Sequence, residues 1–371
     1  MPPASPRPIP ERELNSIGFL RVVLAAMVVY THAYYLGGFA EEPLVRLTHG
    51  ALSAGTVAVQ SFFVLSGWLV ASSWLRLNSL PVFLWHRVLR LGPGFVVCLV
   101  VTAAVLGPLI HTTTPGERGR YLSLDPSAMG YVWHNLVQPR AQICIGDLTI
   151  HNPHPGDLNG SLWTLSYEAA CYVGVALCGL GGILRGRGRY LWLTGLLAAL
   201  LVVFPLARAG VLPGISLRLF DTPGKLMCWH FATGMTCALF PALTTCLGQR
   251  AWPALAGLAA LTIAWPLGYG PLFSPFALPP VLFCLAAQLP ARNWERAVGG
   301  DYSYGLYVYG YPVQQTLAHW GAHQLGLVAY ILLSLGAAGG LAWLSWRVVE
   351  HPALRLRHAF SSARKTVVAS P

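Results

Sequence analysis

Charge is what this sequence lacks most. Only 10% of its 371 residues are Asp, Glu, Lys or Arg, against about 25% in an ordinary soluble domain, so water is not its main solvent. Acidic residues are the scarcest, 13 against 24 Lys and Arg. No CxxC pair and no glycine-rich phosphate loop of the Walker or dinucleotide type occurs, and no metal site is expected. The eight cysteines supply no external disulfide framework: seven lie in or beside apolar runs, and only Cys144 falls in a long polar segment. Residues 1–15 are polar and proline-rich, without the basic-then-apolar layout of a cleaved leader. The first apolar run is therefore expected to stay as a membrane helix.

Apolar sequence fills the chain instead. Hydrophobic residues make up 55% of it, and its mean hydropathy is +0.55. Runs near the 17–25 residues that carry a helix across a bilayer recur. They predict ten spans, at about 17–38, 54–75, 82–110, 162–184, 190–208, 223–241, 250–267, 272–290, 302–320 and 325–347, hence an all-α polytopic transmembrane helical bundle. With the N-terminus inside, sixteen Lys and Arg residues fall on the cytoplasmic face and seven on the other, Arg21 lying within a span. That asymmetry follows the positive-inside rule and places both termini in the cytoplasm. The net charge of +11 then reads as topology, not as affinity for nucleic acid. The expected organisation is a cytoplasmic segment at 1–15, an integral membrane domain at 16–352 with a long external loop at 111–160, and a basic tail at 353–371. The tail is drawn to anionic membrane lipid.

An ionisable residue inside a span is costly and marks function by default. Span one holds Arg21 and His32. Eleven residues at 1.5 Å each separate them by about 16 Å along the axis, with Arg21 near the cytoplasmic end. A snorkelling arginine and a hydrogen-bonded core histidine would look the same. Glu168 lies roughly 9 Å below the outer end of span four, at a depth similar to His32. A buried carboxylate needs a partner, and His32 is the expected one, in a structural ion pair or in a dyad that moves a proton. Arg87 and Arg90, three residues apart on one helical face, join Arg21 near the inner boundary. Guanidinium forks suit phosphate, although Arg87 and Arg90 are equally explained as inner-face anchors. In the external loop the stretch from Asn152 to Asn159 offers polar groups to an acceptor. Tyr131, Trp133 and Trp163 could stack on the rings of a ligand or belong to the aromatic belt at a membrane surface.

These residues carry a resemblance. Arg21-x10-His32 resembles the first-helix R/K-x10-H motif of the acyltransferase-3 membrane proteins, which include bacterial O-antigen and exopolysaccharide O-acetyltransferases. Phe63 to Gly67 resembles the family's FxxSG motif, Arg87-x-x-Arg90 its RxxR, and Gly160 to Glu168 its GSLWSLxxE stretch. Ser303 to Tyr307 with Tyr311-Pro312 is similar to its penultimate-helix motif, and Glu350-His351-Pro352 to its E-x-P ending. The six follow in the family's order from residue 16 to about 352. Two departures stand out. Gly310 occupies the place where many members carry a histidine before the aromatic-proline pair, and no appended esterase-like domain is expected after the last span.

The resemblance implies transfer of an acyl group, most often acetyl, from cytosolic acyl-coenzyme A to a hydroxyl of an extracytoplasmic saccharide or glycoconjugate. The setting is the cell inner membrane, with envelope-polysaccharide assembly proteins as possible partners. His32 would be the base or a transient acyl carrier, Glu168 its orienting partner, and Arg21, Arg87 and Arg90 the holders of the coenzyme's phosphates. Ser66, Tyr304 and Tyr307 would line the passage, or serve only as interhelical hydrogen-bonders. A multi-span transporter or flippase of a glycan or lipid precursor suits the composition equally well. Against it stand the absence of a detectable internal repeat and the pairing of a buried His with a Glu beside a phosphate-type cluster.

Overall fold

The computed structural model describes residues 16–111, 121–203, 206, 223–291 and 294–358. Among them all regular structure is helical. The longer helices are α1 (Ile17–Leu36), α2 (Ala54–Leu77), α3 (Leu80–Val101, continued by π and α turns to His111), α4 (Ala128–Val137), α5 (Trp163–Leu180) and α6 (Gly188–Ala198). There follow α7 (Pro223–Leu239), α8 (Pro241–Gln249), α9 (Ala251–Ala264), α10 (Gly270–Gln288), α11 (Ser303–His319) and α12 (Leu327–Ser345, continued to Arg355). The expected segment 1–15, loop residues 112–120 and tail residues 359–371 lie outside the described residues.

Each of the ten apolar runs forms a helix close to its expected bounds, although residues 204, 205, 207 and 208 of the fifth run lie outside the described set. Five helices are long and apolar enough to cross a membrane, and a sixth results if α7 and α8 count as one span bent by 100°. The chain is thus a multi-pass membrane protein. The remaining runs fall short; the 14 residues of α9 reach only about 21 Å against a hydrocarbon core of about 30 Å. The bend before α8 comes at Phe240, whose φ of −123° and ψ of 78° leave the helical region. Pro241 fits the first turn of the next helix but could not continue the previous one. Asn78, at φ 46°, stops α2 in the left-handed conformation that asparagine tolerates. Helix α4 falls where a loop was expected. Ser127 caps it, its Oγ accepting from the Gly130 N–H at 3.0 Å, and its 10 residues are too few for an apolar run to register as a span.

The chain divides into two compact units, each assembled from three stretches. The first comprises Met1–Arg21, Val57–Phe83 and Tyr167–Val298. In it α2 and α7 cross backbone against backbone. A Cβ on Gly67 would lie 2.0 Å from the Phe231 carbonyl oxygen, and one on Gly234 would lie 1.9 Å from that of Val64. Such close approach is the known use of small residues between membrane helices. His230 is a satisfied core histidine, hydrogen-bonded to Ser274 Oγ at 3.0 Å and the Leu226 carbonyl at 2.8 Å.

The second unit comprises Val22–Thr56, Leu84–Ser166 and Gly299–Pro371. Its central element is α11, buried at nearly every residue. Helix α12 packs on it where Gly305 leaves room, since a Cβ there would meet Ala342 Cα at 2.7 Å. Gln314 joins it to α1, donating to the Val29 carbonyl at 2.9 Å.

Candidate active site

His32 lies near the C-terminal end of α1, in the second unit. Its ring meets Tyr35 and Tyr311 edge-on, with centroids 5.5 and 5.2 Å away. Its Nδ1 is buried and has no hydrogen-bond partner among the described residues. A ring nitrogen with no fixed partner leaves both tautomers open. Tyr35 also meets the His154 ring of the loop, at 5.1 Å. Gly160, the glycine of the GSLW stretch, admits the Tyr311 ring, because a Cβ there would be 2.5 Å from it.

The loop over this site is tied down by Gln315, which is fully buried. Its Nε2 donates to the carbonyls of His154 and Asp157 at 3.0 and 2.7 Å. Its Oε1 accepts from Asn152 Nδ2 at 2.7 Å, and that amide also donates to the Gln315 carbonyl at 2.9 Å. Asp157 forms an ion pair with Arg140 at 2.7 Å. Asn152, a candidate for acceptor binding, therefore spends its amide on α11, while its Oδ1 is buried without a partner among the described residues. Tyr307 braces the same region, donating to the Ser161 carbonyl at 3.2 Å and hydrogen-bonding Thr164 Oγ1 at 2.8 Å. Trp163 is partly buried at the start of α5, Trp133 is exposed, and Tyr131 is fully buried, so its ring is closed to a sugar. At Gly310 a Cβ would lie 2.7 Å from Val29 Cγ2, so any side chain there would press on α1.

A second cluster lies along the middle turns of α3, also in this unit. Arg90 pairs with Asp301 at 2.5 Å. The other carboxylate oxygen of Asp301 accepts from the Ser303 N–H at 3.2 Å and hydroxyl at 2.5 Å, satisfying the first backbone donor of α11. Tyr304 donates to the Leu91 carbonyl at 3.2 Å. A Cβ on Gly94 would lie 2.8 Å from the Tyr304 ring and 3.1 Å from the carboxyl carbon of Glu350. Glu350 is buried and accepts from Ser345 Oγ at 2.9 Å. The RxxR, penultimate-helix and E-x-P motifs, far apart in sequence, thus converge on about two turns of one helix.

In the first unit Glu168 is partly buried on α5. Ser66 and Tyr172 both donate to its Oε1, at 3.3 and 2.5 Å. Gly67 permits the α2–α7 crossing, and its neighbour Ser66 reaches Glu168, so FxxSG has a local physical reason. Arg21 is partly buried on α1 in this unit. Four residues of these networks went unread in the sequence: Asp301, Gln315, Tyr172 and Tyr35. Asp301 had a signal, an acid two residues before a helix-starting serine in a chain nearly devoid of acids. His319 and His323 carry an HxxxH spacing, but α11 ends between them and Gly321 turns left-handed at φ 76°. No group of three His, Cys, Asp or Glu residues suited to a metal ion occurs among the described residues.

Comparisons with known proteins identify the family. The acyltransferase-3 family model, described as an acyltransferase domain, matches residues 14–347. An O-acetyl transferase of Shigella phage Sf6 is 29% identical over 351 residues, covering 91% of this chain and 95% of the phage protein. Nodulation protein 10 of Rhizobium leguminosarum bv. viciae is 26% identical over 379 residues, covering 95% and 96%. Acyltransferase MdmB of Streptomyces mycarofaciens is 25% identical over 395 residues, covering 92% of each chain. No solved structure matches. With motifs in order, helices at the ten apolar runs and a family match over most of its length, the chain belongs to the acyltransferase-3 family and is an acyltransferase.

Proposed function

We propose that this enzyme moves an acyl group, acetyl by likeness to the phage protein, from acyl-coenzyme A to a hydroxyl of an extracytoplasmic saccharide or glycoconjugate. It works in the inner membrane, with ten spans and cytoplasmic termini. The ten apolar runs of the sequence and the Lys/Arg asymmetry support that topology. The observation that carries the chemistry is His32, whose Nδ1 has no hydrogen-bond partner among the described residues and whose ring lies among tyrosines beneath a pinned polar loop.

His32 takes the acceptor's hydroxyl proton as that oxygen attacks the thioester carbonyl. A C–O bond forms, the C–S bond breaks, and the departing thiolate receives the proton. In the covalent alternative imidazole takes the acyl group first; label retained on the protein after a rapid denaturing quench near neutral pH would mark that route. Glu168 is the proposed catalytic carboxylate, set by Ser66 and Tyr172. Arg87 and Arg90 hold the donor's phosphates, and Arg21 is assigned to the donor on its motif alone.

The test uses inverted membrane vesicles with labelled acetyl-coenzyme A and candidate glycans. His32→Ala should lower label transfer by about 10²–10⁴-fold, the span of general-base effects, and Glu168→Gln should also lower it. Unchanged label transfer in His32→Ala would remove the role given to His32.

A further inference from the structure

We propose that Arg357, in the turn after the E-x-P ending, joins Arg87 and Arg90 in a site for the phosphate groups of the acyl donor. The assignment rests on the reading that the donor is acyl-coenzyme A. Seen only as sequence, Arg357 is one of several arginines in a basic tail.

The chain leaves α12 through Glu350 and Pro352 and closes in a short turn, Leu356–His358. Trp85 Nε1 donates to the Leu356 carbonyl at 3.2 Å, fixing that turn on the start of α3 beside Arg87 and Arg90. Arg355, two residues earlier, is exposed, as an ordinary membrane-surface anchor would be. Arg357 is turned inward: its Nε is buried and has no hydrogen-bond partner among the described residues. Burial first, and then the charges of Arg90 and Arg87, hold its guanidinium down at about 10, well below the ordinary arginine range. The three cations are thus close enough to press on one another, with Asp301 on Arg90 offsetting part of the charge.

Cations gathered around a buried N–H that lacks an acceptor among the described residues are poorly arranged for stability and well arranged for an anion. The forked donors of arginine match phosphate oxygens. Coenzyme A carries a diphosphate and a phosphomonoester, and an anionic lipid headgroup offers similar oxygens. The donor is favoured because the cluster sits where the RxxR, penultimate-helix and E-x-P segments meet.

The experiment places the full-length protein in phosphatidylcholine nanodiscs and measures coenzyme A binding by calorimetry. Arg357→Ala should weaken binding by about tenfold or more, the scale of one charge-assisted hydrogen bond. Arg357→Lys should recover only part of it, and Arg355→Ala should bind as the wild type does. In transfer assays the KM for acetyl-coenzyme A should rise while kcat holds. Acetyl-pantetheine, a donor without those phosphates, should be used equally well by wild type and variant. If Arg357→Ala binds coenzyme A as the wild type does, the Arg357 assignment falls and the acyltransfer reading stands. If wild type binds no coenzyme A but Arg357→Ala loses affinity for phosphatidylglycerol nanodiscs, the site is a lipid site and the proposal is overturned. If wild type neither binds nor uses acetyl-coenzyme A, the functional reading itself fails.

Discussion

Gln315→Glu isolates the hydrogen bonds that hold the loop over His32. The substitution keeps side-chain size and the acceptor for Asn152 Nδ2. It replaces the amide donor that serves the His154 and Asp157 carbonyls, at 3.0 and 2.7 Å, with an oxygen. Ionised, that oxygen faces two carbonyl oxygens; protonated, it has one hydrogen for two acceptors. At a net value of about 0.5–1.5 kcal/mol per hydrogen bond, losing both costs roughly 1–3 kcal/mol. The loop carbonyls can find water if the loop lifts, so most of the cost should appear as local opening and not as global unfolding. At about 1.4 kcal/mol per decade, the closed state loses roughly 5–150-fold in relative population. The expected result is a rise in the acceptor's KM of tenfold or more, with the KM for acetyl-coenzyme A unchanged. Hydrogen exchange should quicken at the amides of residues 152–159, while the thermal midpoint moves little. An acceptor KM and exchange rates equal to wild type would refute the idea that Gln315 sets the loop.

Two further tests bear on the scaffold. Gly67→Ala forces a Cβ to within 2.0 Å of the Phe231 carbonyl oxygen and should cost about 1–3 kcal/mol of stability, as overpacking does. Gly174→Ala meets nothing within 4 Å and should be neutral or stabilising by up to about 1 kcal/mol, so equal melting of the two variants in detergent would contradict the crossing. Tyr121 donates to the Ala103 carbonyl, and burial pushes its phenol up to about 12. The folded tyrosine keeps its proton longer than an unfolded one at about 10, so its stabilisation is complete below that pH and is lost as pH rises through about 12. Tyr121→Phe should flatten that alkaline decline in the melting temperature; an identical decline in wild type and variant would remove the effect.

The helices were legible because apolar runs of membrane length leave few alternatives. Helix α4 was not, since its ten residues carry no more apolar signal than a loop with scattered aromatics. The break between α7 and α8 had a visible cause in Pro241, but a proline does not announce an angle. Motifs single out residues more readily than they reveal which ones touch. Asn152 read as a polar group offered to an acceptor, yet its amide is committed to Gln315. Arg357 was invisible for the opposite reason. Every arginine in a basic tail looks alike until one is seen with its Nε buried.

The polar content of α11 makes physical sense only through its partners. Inside a membrane protein a donor must be satisfied internally, so a helix bearing four tyrosines and two glutamines can be buried only where acceptors wait. Tyr304 finds the Leu91 carbonyl on α3, Tyr307 the Ser161 carbonyl before α5, Gln314 the Val29 carbonyl on α1, and Gln315 the loop. These four bonds bring the arginine-bearing helix, the GSLW turn, the His32 helix and the loop to one rod. A register slip of one residue would rotate every donor by about 100° from its acceptor, so the bonds must be made together or not at all. Tyr304 and Tyr307, which resemble passage-lining residues in the motif, spend their hydroxyls on these interhelical bonds and tie α3 and the GSLW turn to α11.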